Sequence, residues 1–381
     1  MPSRLTRLNT RVLTSILLVA LPVLLIGAAL VVGIGRNRQR AAQSTQLTHV
    51  AEYTAAAIDA YVYRRILDAA LLARVPEVRR AATDGSAAPY DAARVGDLDK
   101  QWQARATAAA AQKTLLASPA SQFLADLVKN DSIYREVLVT DRHGRLVAAS
   151  NVTSDYYQAD EGWWINAFDS GRGRVNVSDV RRDESAHVYA FEIAVPVPGP
   201  GTDPVAGVMK VVADSREMLT GIAGLDLGGT ADATLVRTDG SIVYSRQAFT
   251  EGERFFGADL LRERLDDLAS RKEPLGRMTF EAQRSDGTRR VVAIAPNQLS
   301  RTFPELGWIV ALSVDQVELG APFRALVWYL VLVFALIMLA VIGIALWLSI
   351  RLAAPAIDPA YDLHLVEHAP VGGGVDGPQR P

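Results

Sequence analysis

Glu136-Val-Leu-Val-Thr-Asp-Arg-His-Gly-Arg-Leu-Val-Ala-Ala-Ser150 is the stretch from which the fold can be read. Glu136 to Asp141 alternates apolar residues, Arg142-His143-Gly144 is a turn, and Arg145 to Ser150 is a second run, which predicts a β-hairpin. Downstream, Val188 to Val197 and Ala206 to Val212 predict two more strands, joined by the turn-rich Pro198-Gly-Pro-Gly-Thr-Asp-Pro204. Between this pair and the first hairpin lies Asp155 to Trp164, DYYQADEGWW, where tyrosines, acids and two adjacent tryptophans crowd together. Aromatics are only 7% of the chain, so this stretch needs flat side chains and charge in one place. A long connection that keeps its aromatics is more often a binding surface than a spacer.

Outward from there, the pattern recurs. Leu138-Val-Thr-Asp-Arg-His-Gly-Arg-Leu-Val147 has a counterpart in Leu235-Val-Arg-Thr-Asp-Gly-Ser-Ile-Val243. Ala194-Val-Pro196, then Gly207 and Asp214, match Ala293-Ile-Ala-Pro296, then Gly307 and Asp315. Hairpin, proline-containing strand, loop and glycine-led strand thus occur twice, which predicts two small α/β modules in tandem within an α+β fold. The second adds a hairpin, Met278 to Ala295, turning at Ser285-Asp-Gly-Thr288, and a charged amphipathic helix, Asp259 to Lys272. It has no counterpart of the tyrosine and tryptophan cluster, so its expected role is structural or transmitting.

Composition narrows the class. The 381 residues carry a net charge of -2, without the basic excess that binding to nucleic acid requires. There is no cysteine, which excludes disulfides, zinc-thiolate sites, iron-sulfur clusters and thiol nucleophiles. No charge occurs between Arg11 and Arg36 or between Arg324 and Arg351, and each run exceeds the roughly 20 residues needed to cross a bilayer. The first run could be a cleavable signal peptide, but it is longer than the usual apolar core and no small-x-small site precedes Arg36, which favours an anchor. Trp328, Tyr329 and Trp347 flank the second run as interfacial residues do. Arg4, Arg7 and Arg11 before the first run are balanced by Arg36, Arg38 and Arg40 after it. Long domains translocate largely regardless of charge, so the centre is expected outside and both ends in the cytoplasm.

The expected organisation is a cytoplasmic N-terminus over 1–11 and a transmembrane helix over 12–35. A helical stalk with the sensor helices follows over 36–130, then a membrane-distal module over 131–220 and a membrane-proximal module over 221–320. A second transmembrane helix covers 325–350 and a short tail 351–381. Within the stalk, Ala57, Ile58, Tyr61, Ile66 and Leu71 have helical spacing and predict one long helix from Asn37 to Asp84, interrupted at Pro76 and ending in the break from Asp84 to Pro89. Further helices are predicted from Asp97 to Leu116 and from Ser121 to Lys129.

This layout resembles the double Cache (tandem PAS-like) extracytoplasmic sensor domains of bacterial transmembrane receptors. The likeness covers roughly residues 12–350 and is carried by VTDRHGRLVAAS, DYYQADEGWW, VSDVRRDES, AVPV with AGVMKVVAD, and the tandem repeat. It implies location in the bacterial inner membrane, a small-molecule pocket in the distal module, a signal passed through the helices to a cytoplasmic partner, and homodimerisation through the membrane-proximal helices. In amino-acid-binding members the pocket uses a tyrosine, an arginine, an aromatic pair and acids on later strands. Tyr156 matches the tyrosine, Trp163 the tryptophan, Trp164 keeps an aromatic beside it, and Asp183 matches one acid. Glu161, however, stands where the carboxylate-binding arginine would be, and Val212 where a second aspartate is expected, which disfavours a free α-amino acid.

The residues themselves suggest another ligand. An acid beside aromatic faces suits a cation, while Arg181 could supply an anion site. The candidate ligand-binding set is Tyr156, Tyr157, Glu161, Trp163, Trp164, Arg181 and Asp183. Taken singly, Trp163 and Trp164 could equally pack into the module core and the acids be solvated, but as a cluster they read as a pocket wall. No catalytic residue, metal or cofactor is expected.

His364-Leu-Val-Glu-His368 fits a zinc pattern, but it sits in a short tail broken by Pro355, Pro359 and Pro370 and by Gly372 to Gly374, and reads as chance. His49, His143 and His187 are scattered and read as surface residues, and no phosphate-loop or nucleophile-elbow motif occurs. Arg351-Leu-Ala-Ala-Pro355 resembles the entry of a HAMP linker, yet Pro359 follows and the Gly/Pro-rich end is expected to be disordered, without an effector domain. The expected function is that of a membrane-anchored small-molecule sensor subunit. The alternatives are an envelope structural or assembly protein, and a metal-dependent enzyme using His364 and His368.

Overall fold

The structure, a computed structural model, describes residues 10–104, 109–183, 188–201, 204–216, 218, 229–245, 249–250 and 252–351. They divide into two compact units, one within 39–321 and the other formed by the described residues of 1–38 and 322–381. The tail motifs at Arg351 to Pro355 and His364 to His368 lie almost entirely outside the described residues, and His187 lies wholly outside them.

In the larger unit, helix α1 (Thr10–Leu72) presents a stripe of Leu47, Ala51, Ala55, Ile58, Val62, Ile66 and Ala69, all buried. Their three- and four-residue spacing is that of one helix face. Leu71, expected on this face, is 67% exposed, because spacing sets a periodicity but not which side meets the sheet. The interruption expected at Pro76 is there: α1 ends at Leu72, and Pro76 opens α2 (Pro76–Ala87) at its first turn, where no N–H is required. The break expected at Asp84 falls at Ala88 instead. A side chain at Gly85 would lie 2.6 Å from Val147, so only glycine lets the last turn of α2 lie this close to the sheet. The helix expected from Asp97 is two, α3 (Ala92–Gln103) and α4 (Ala109–Leu116). Asp91 starts α3 by accepting the N–H groups of Ala93 and Arg94, and Ser118 caps α5 (Pro119–Asn130).

The distal sheet holds β1 (Tyr134–Thr140) and β2 (Leu146–Ala149), followed by α6 (Gly162–Phe168), β3 (Asn176–Val177), β4 (Arg181–Asp183), β5 (Val188–Pro198) and β6 (Val205–Asp214). Its order is β2-β1-β6-β5-β3, with β4 also on β5, and each pairing is antiparallel. The proximal sheet repeats the plan with β7 (Asp232–Arg237), β8 (Ile242–Ser245), β9 (Met278–Gln283), β10 (Arg289–Pro296) and β11 (Trp308–Asp315), in the order β8-β7-β11-β10-β9. Helix α7 (Ala258–Arg271) precedes β9, and the short α8 (Leu299–Thr302) and α9 (Gln316–Leu319) bracket β11. In both sheets the glycine-led last strand slots between the hairpin and the proline-containing strand. The chain is therefore the α+β tandem that the repeat predicts.

Proline inside β5 is tolerated for a readable reason. Glu192 exchanges backbone and side-chain hydrogen bonds with Ser178, so its peptide faces the outer edge. Pro196 has the same parity and lies beyond the two β5 residues that β3 pairs, so its missing N–H falls at an unpaired edge.

One core cluster joins the α1 stripe to Val137, Phe191, Ile193 and Val211 of the distal sheet and to Leu235, Val310 and Leu312 of the proximal one. The modules are also clamped by polar contacts. Asp179, in the β3–β4 loop, accepts Trp308 Nε1–H at 2.9 Å and Arg237 Nε–H at 2.5 Å. Asp59 of α1 accepts the N–H groups of Gln298 and Leu299 at 2.7 and 3.0 Å.

The repeat's terminal aspartate carries pH dependence. Burial would raise the pKa of Asp214, but hydrogen bonds from Arg216 and Arg135 outweigh it and hold the carboxyl below its ordinary value. A depressed folded-state pKa adds stability that is present at neutral pH and lost as pH falls through that pKa. Asp214→Asn is therefore expected to destabilise the chain at pH 7, with the difference from the parent shrinking below about pH 4, read by thermal unfolding across pH.

In the smaller unit, α10 (Ala321–Arg351) contains an apolar segment, Phe323–Leu348, of mean hydropathy 3.0, and the apolar part of α1 reaches 2.6. Both helices are long and apolar enough to cross a membrane. An apolar hollow of about 260 Å³ lies between them, lined by residues such as Leu25, Val32, Phe334 and Met338.

Candidate functional site

Strand parity decides what each face of the distal sheet offers. Val137, Val139, Met209 and Val211 point toward the α1 core. Residues of opposite parity, among them Leu138, Thr140, Val208, Lys210, Glu192 and Ala194, point to the other face, where α6 lies. Trp163 and Trp164 are both buried there against Leu138, Ala194 and Val208. Trp164 Nε1–H donates to Thr140 Oγ1 at 2.8 Å, and its ring stacks on Phe168 at 4.6 Å. Just after α6 the backbone turns left-handed at Asp169 and Ser170, φ 45° and 56°, and Arg172 holds the Asp169 carboxylate at 2.7 Å.

Trp163 meets a charge. Lys210 Nζ lies 5.0 Å from its ring centroid, 3.4 Å from Glu192 Oε1 and 4.0 Å from Glu136 Oε2. Glu136, Val212 and Glu192 are direct cross-strand partners in one row. A carboxylate at Val212 would face two others, which explains why the resemblance's second aspartate has no place here. Glu161, the residue before α6, has its pKa raised by burial first and then by Asp155 and Asp160, while Lys210 opposes the shift.

The front half of the aromatic stretch goes elsewhere. The Tyr156 carbonyl accepts the Leu146 N–H, and Gln158 N–H donates to the Gly144 carbonyl, so this segment runs along β2. Asp99 of α3 fixes it by accepting the N–H groups of Tyr156 and Tyr157 at 2.7 and 2.9 Å. Tyr156 packs against Trp102 at 5.5 Å, and Trp102 Nε1–H donates to the Thr153 carbonyl. Burial raises the Tyr156 hydroxyl pKa, with Arg145 opposing. Burial raises that of Tyr157 too, assisted by a hydrogen bond with Tyr90.

Beside this pair opens a cleft of about 610 Å³, bounded by α2, α3, α4, the start of α5 and β2. Trp102, Leu115, Leu146, Val147 and Tyr156 give it apolar walls. Glu77, Arg80 and Asp84, spaced along one side of α2, give it a charged, exposed rim. Among the described residues no cluster of three or more His, Cys, Asp or Glu could hold a metal ion.

The structure thus divides the seven predicted residues. Tyr156 lines the cleft and Tyr157 adjoins it in sequence. Glu161, Trp163 and Trp164 gather around Lys210 and the sheet. Arg181 is exposed on β4, in register with Ala190, and for Asp183 only the backbone is described, in register with Val188. Sequence reasoning missed Trp102, Asp99 and Lys210. The lysine had a signal: it is the one charge between Val205 and Ala213, in a strand otherwise apolar enough to be buried on both faces.

No protein-family model matches the chain, and no curated protein matches it. Among solved structures it is similar to the ligand-binding domain of the Pseudomonas aeruginosa amino acid chemoreceptor PctB in complex with L-Arg, at 20% identity over 72% of this chain and 95% of that one, TM-score 0.43. It is similar to the ligand-binding domain of the P. aeruginosa chemoreceptor PctC in complex with GABA, at 15% identity over 71% and 99%, TM-score 0.44. It is also similar to the sensor domain of the V. cholerae histidine kinase DctB, at 13% identity over 73% and 99%, TM-score 0.44.

Proposed function

We propose that the chain is a membrane-anchored sensor subunit whose distal module binds a small molecule outside the cytoplasm. The observation that carries this reading is the 610 Å³ cleft with aromatic and aliphatic walls and a few charged groups at its rim, the form that small-molecule sites take. In this reading Tyr156 and Trp102 contact the ligand, Tyr157 positions that wall, and Glu161, Trp163 and Trp164 back it from the sheet. Arg181 and Asp183 lie on β4, the strand after the Asp179 contact with the proximal module, and in this reading serve transmission. The two apolar helices anchor the chain in the bacterial inner membrane, and a homodimer passes the signal to a cytoplasmic partner.

The mechanism is a population shift. A ligand that touches both α2 and the α3–α4 pair favours the arrangement in which they approach, and it shifts the equilibrium only by its differential affinity for the two states. Asp179 and Asp59, which bind the proximal module, would carry that change onward.

Two experiments test the proposal. Because the chain has no cysteine, Ser270→Cys creates a single label site on exposed α7. An impermeant maleimide is expected to label it in intact cells; labelling only after lysis would place the modules in the cytoplasm. A thermal-shift screen on the full chain in detergent is expected to yield a stabilising small molecule, since ligand at about 100 times its Kd adds about 2.7 kcal/mol. Trp102→Leu is then expected to weaken that compound at least about fivefold.

A further inference from the structure

The α6 face of the distal sheet holds a cation cage with its cation already in place. The ammonium of Lys210 sits over Trp163 at 5.0 Å, with Glu192 at 3.4 Å and Glu136 at 4.0 Å. Its side chain is only 12% exposed. Acids outnumber it: burial first, and then Asp155, Asp160 and Glu192, raise the pKa of Glu161, while Lys210 opposes the shift. A desolvated ammonium against an indole face and carboxylates is a strong combination. The neighbouring Thr140 and Trp164 satisfy one another and leave the charge work to this group.

We propose that this cage is a primary-ammonium site filled in cis by Lys210, so that the lysine acts as a tethered ligand that keeps α6 closed on the sheet and excludes external amines. Tethering gives the lysine an effective concentration in the millimolar range or above, so a free amine of the same chemistry competes only when the lysine ammonium is gone. The site is separate from the cleft between α2 and α4, and neither reading requires the other.

The test uses the full chain in detergent and its Lys210→Ala variant, with n-butylammonium as the probe and n-butanol as its uncharged match. The variant is expected to melt lower than the parent and to recover, saturably, with millimolar n-butylammonium, while n-butanol has no such effect and the parent does not respond. Equal responses of parent and variant, or equal responses to amine and alcohol, would overturn the proposal. Should Lys210→Ala not fold, acylation of the unaltered chain followed by mass spectrometry decides. Lys210 is expected to react about tenfold slower than exposed Lys100 and Lys129, because its nitrogen is shut between the Trp163 ring and the carboxylates of Glu192 and Glu136. Equal rates would overturn it. The cleft is untouched by either result, since the ligand screen is run with Lys210 in place.

Discussion

Gly207→Ala is expected to prevent the distal module from folding. A β-carbon at Gly207 would lie 1.8 Å from the carbonyl oxygen of Thr140, 2.8 Å from its carbonyl carbon and 3.1 Å from Asp141 Cα. All three are backbone atoms of the hairpin, so no flexible side chain can step aside. Relief requires the end of β1 to move off β6, and β6 is a central strand paired on both sides. Ordinary overpacking costs about 1–3 kcal/mol, and a backbone clash in the middle of a sheet exceeds that in a domain whose whole stability is about 5–15 kcal/mol. Expression with circular dichroism and urea unfolding would read the loss. Gly96→Ala is the contrast: it lies in α3 with nothing within 4 Å and is expected to stabilise by about 0.5–1 kcal/mol. A soluble Gly207→Ala chain with parental unfolding would refute the packing described for this strand pair.

Asp141→Ala is expected to cost about 3–5 kcal/mol, the penalty for stranding a buried charge. The Asp141 carboxylate is fully buried and accepts the N–H groups of His143 and Arg145 and Arg145 Nε–H, the last at 2.6 Å. Arg145 in turn donates to the carbonyls of Gly85, Ala88 and Pro89, closing the C-terminal end of α2. Without Asp141 the guanidinium stays buried with neutral partners only, and α2, one wall of the cleft, loosens from the sheet. Asp239 of the second repeat, which follows a threonine as Asp141 does but sits two residues further into its turn, is exposed and accepts from Ser241, at 2.8 Å from the backbone N–H and 2.6 Å from the hydroxyl. Asp239→Ala is expected to cost about 1 kcal/mol, so urea unfolding of the two variants side by side separates a buried ion pair from a turn hydrogen bond.

That contrast shows where the sequence is informative. The duplication was legible because its signals are local: alternating strands, a Thr-Asp turn, a proline that must face an edge and a glycine-led strand. The strand order follows once both copies are read together. Partnerships across long separations were not legible. Asp141 and Asp239 look alike in sequence, and only the fold shows that Asp141 holds Arg145 against the carbonyls of Gly85 and Pro89. Gly85 looked like a helix breaker because its reason for being glycine, the close approach of Val147, lies 62 residues away.

For the candidate site the sequence marks a region and not a set of contacts. DYYQADEGWW stands out in the sequence for its density, but it turns a corner: Asp155 to Gln158 runs along β2, and α6 then crosses the sheet. Tyr156 and Trp163 therefore belong to different surroundings, one beside Trp102 and the other over Lys210. The cation that acids and an indole call for is present, supplied by the chain itself.

The most direct measurement fills the cleft. Thr114 lines it from α4, is exposed, and its side chain bonds only the Ala110 carbonyl, so Thr114→Trp adds bulk to the cavity without disturbing the core. A small molecule that stabilises the full chain is expected to lose its effect on Thr114→Trp, while the variant melts close to the parent without it. Undiminished stabilisation of Thr114→Trp, or a broad screen in which nothing stabilises the parent, would contradict a ligand in this cleft.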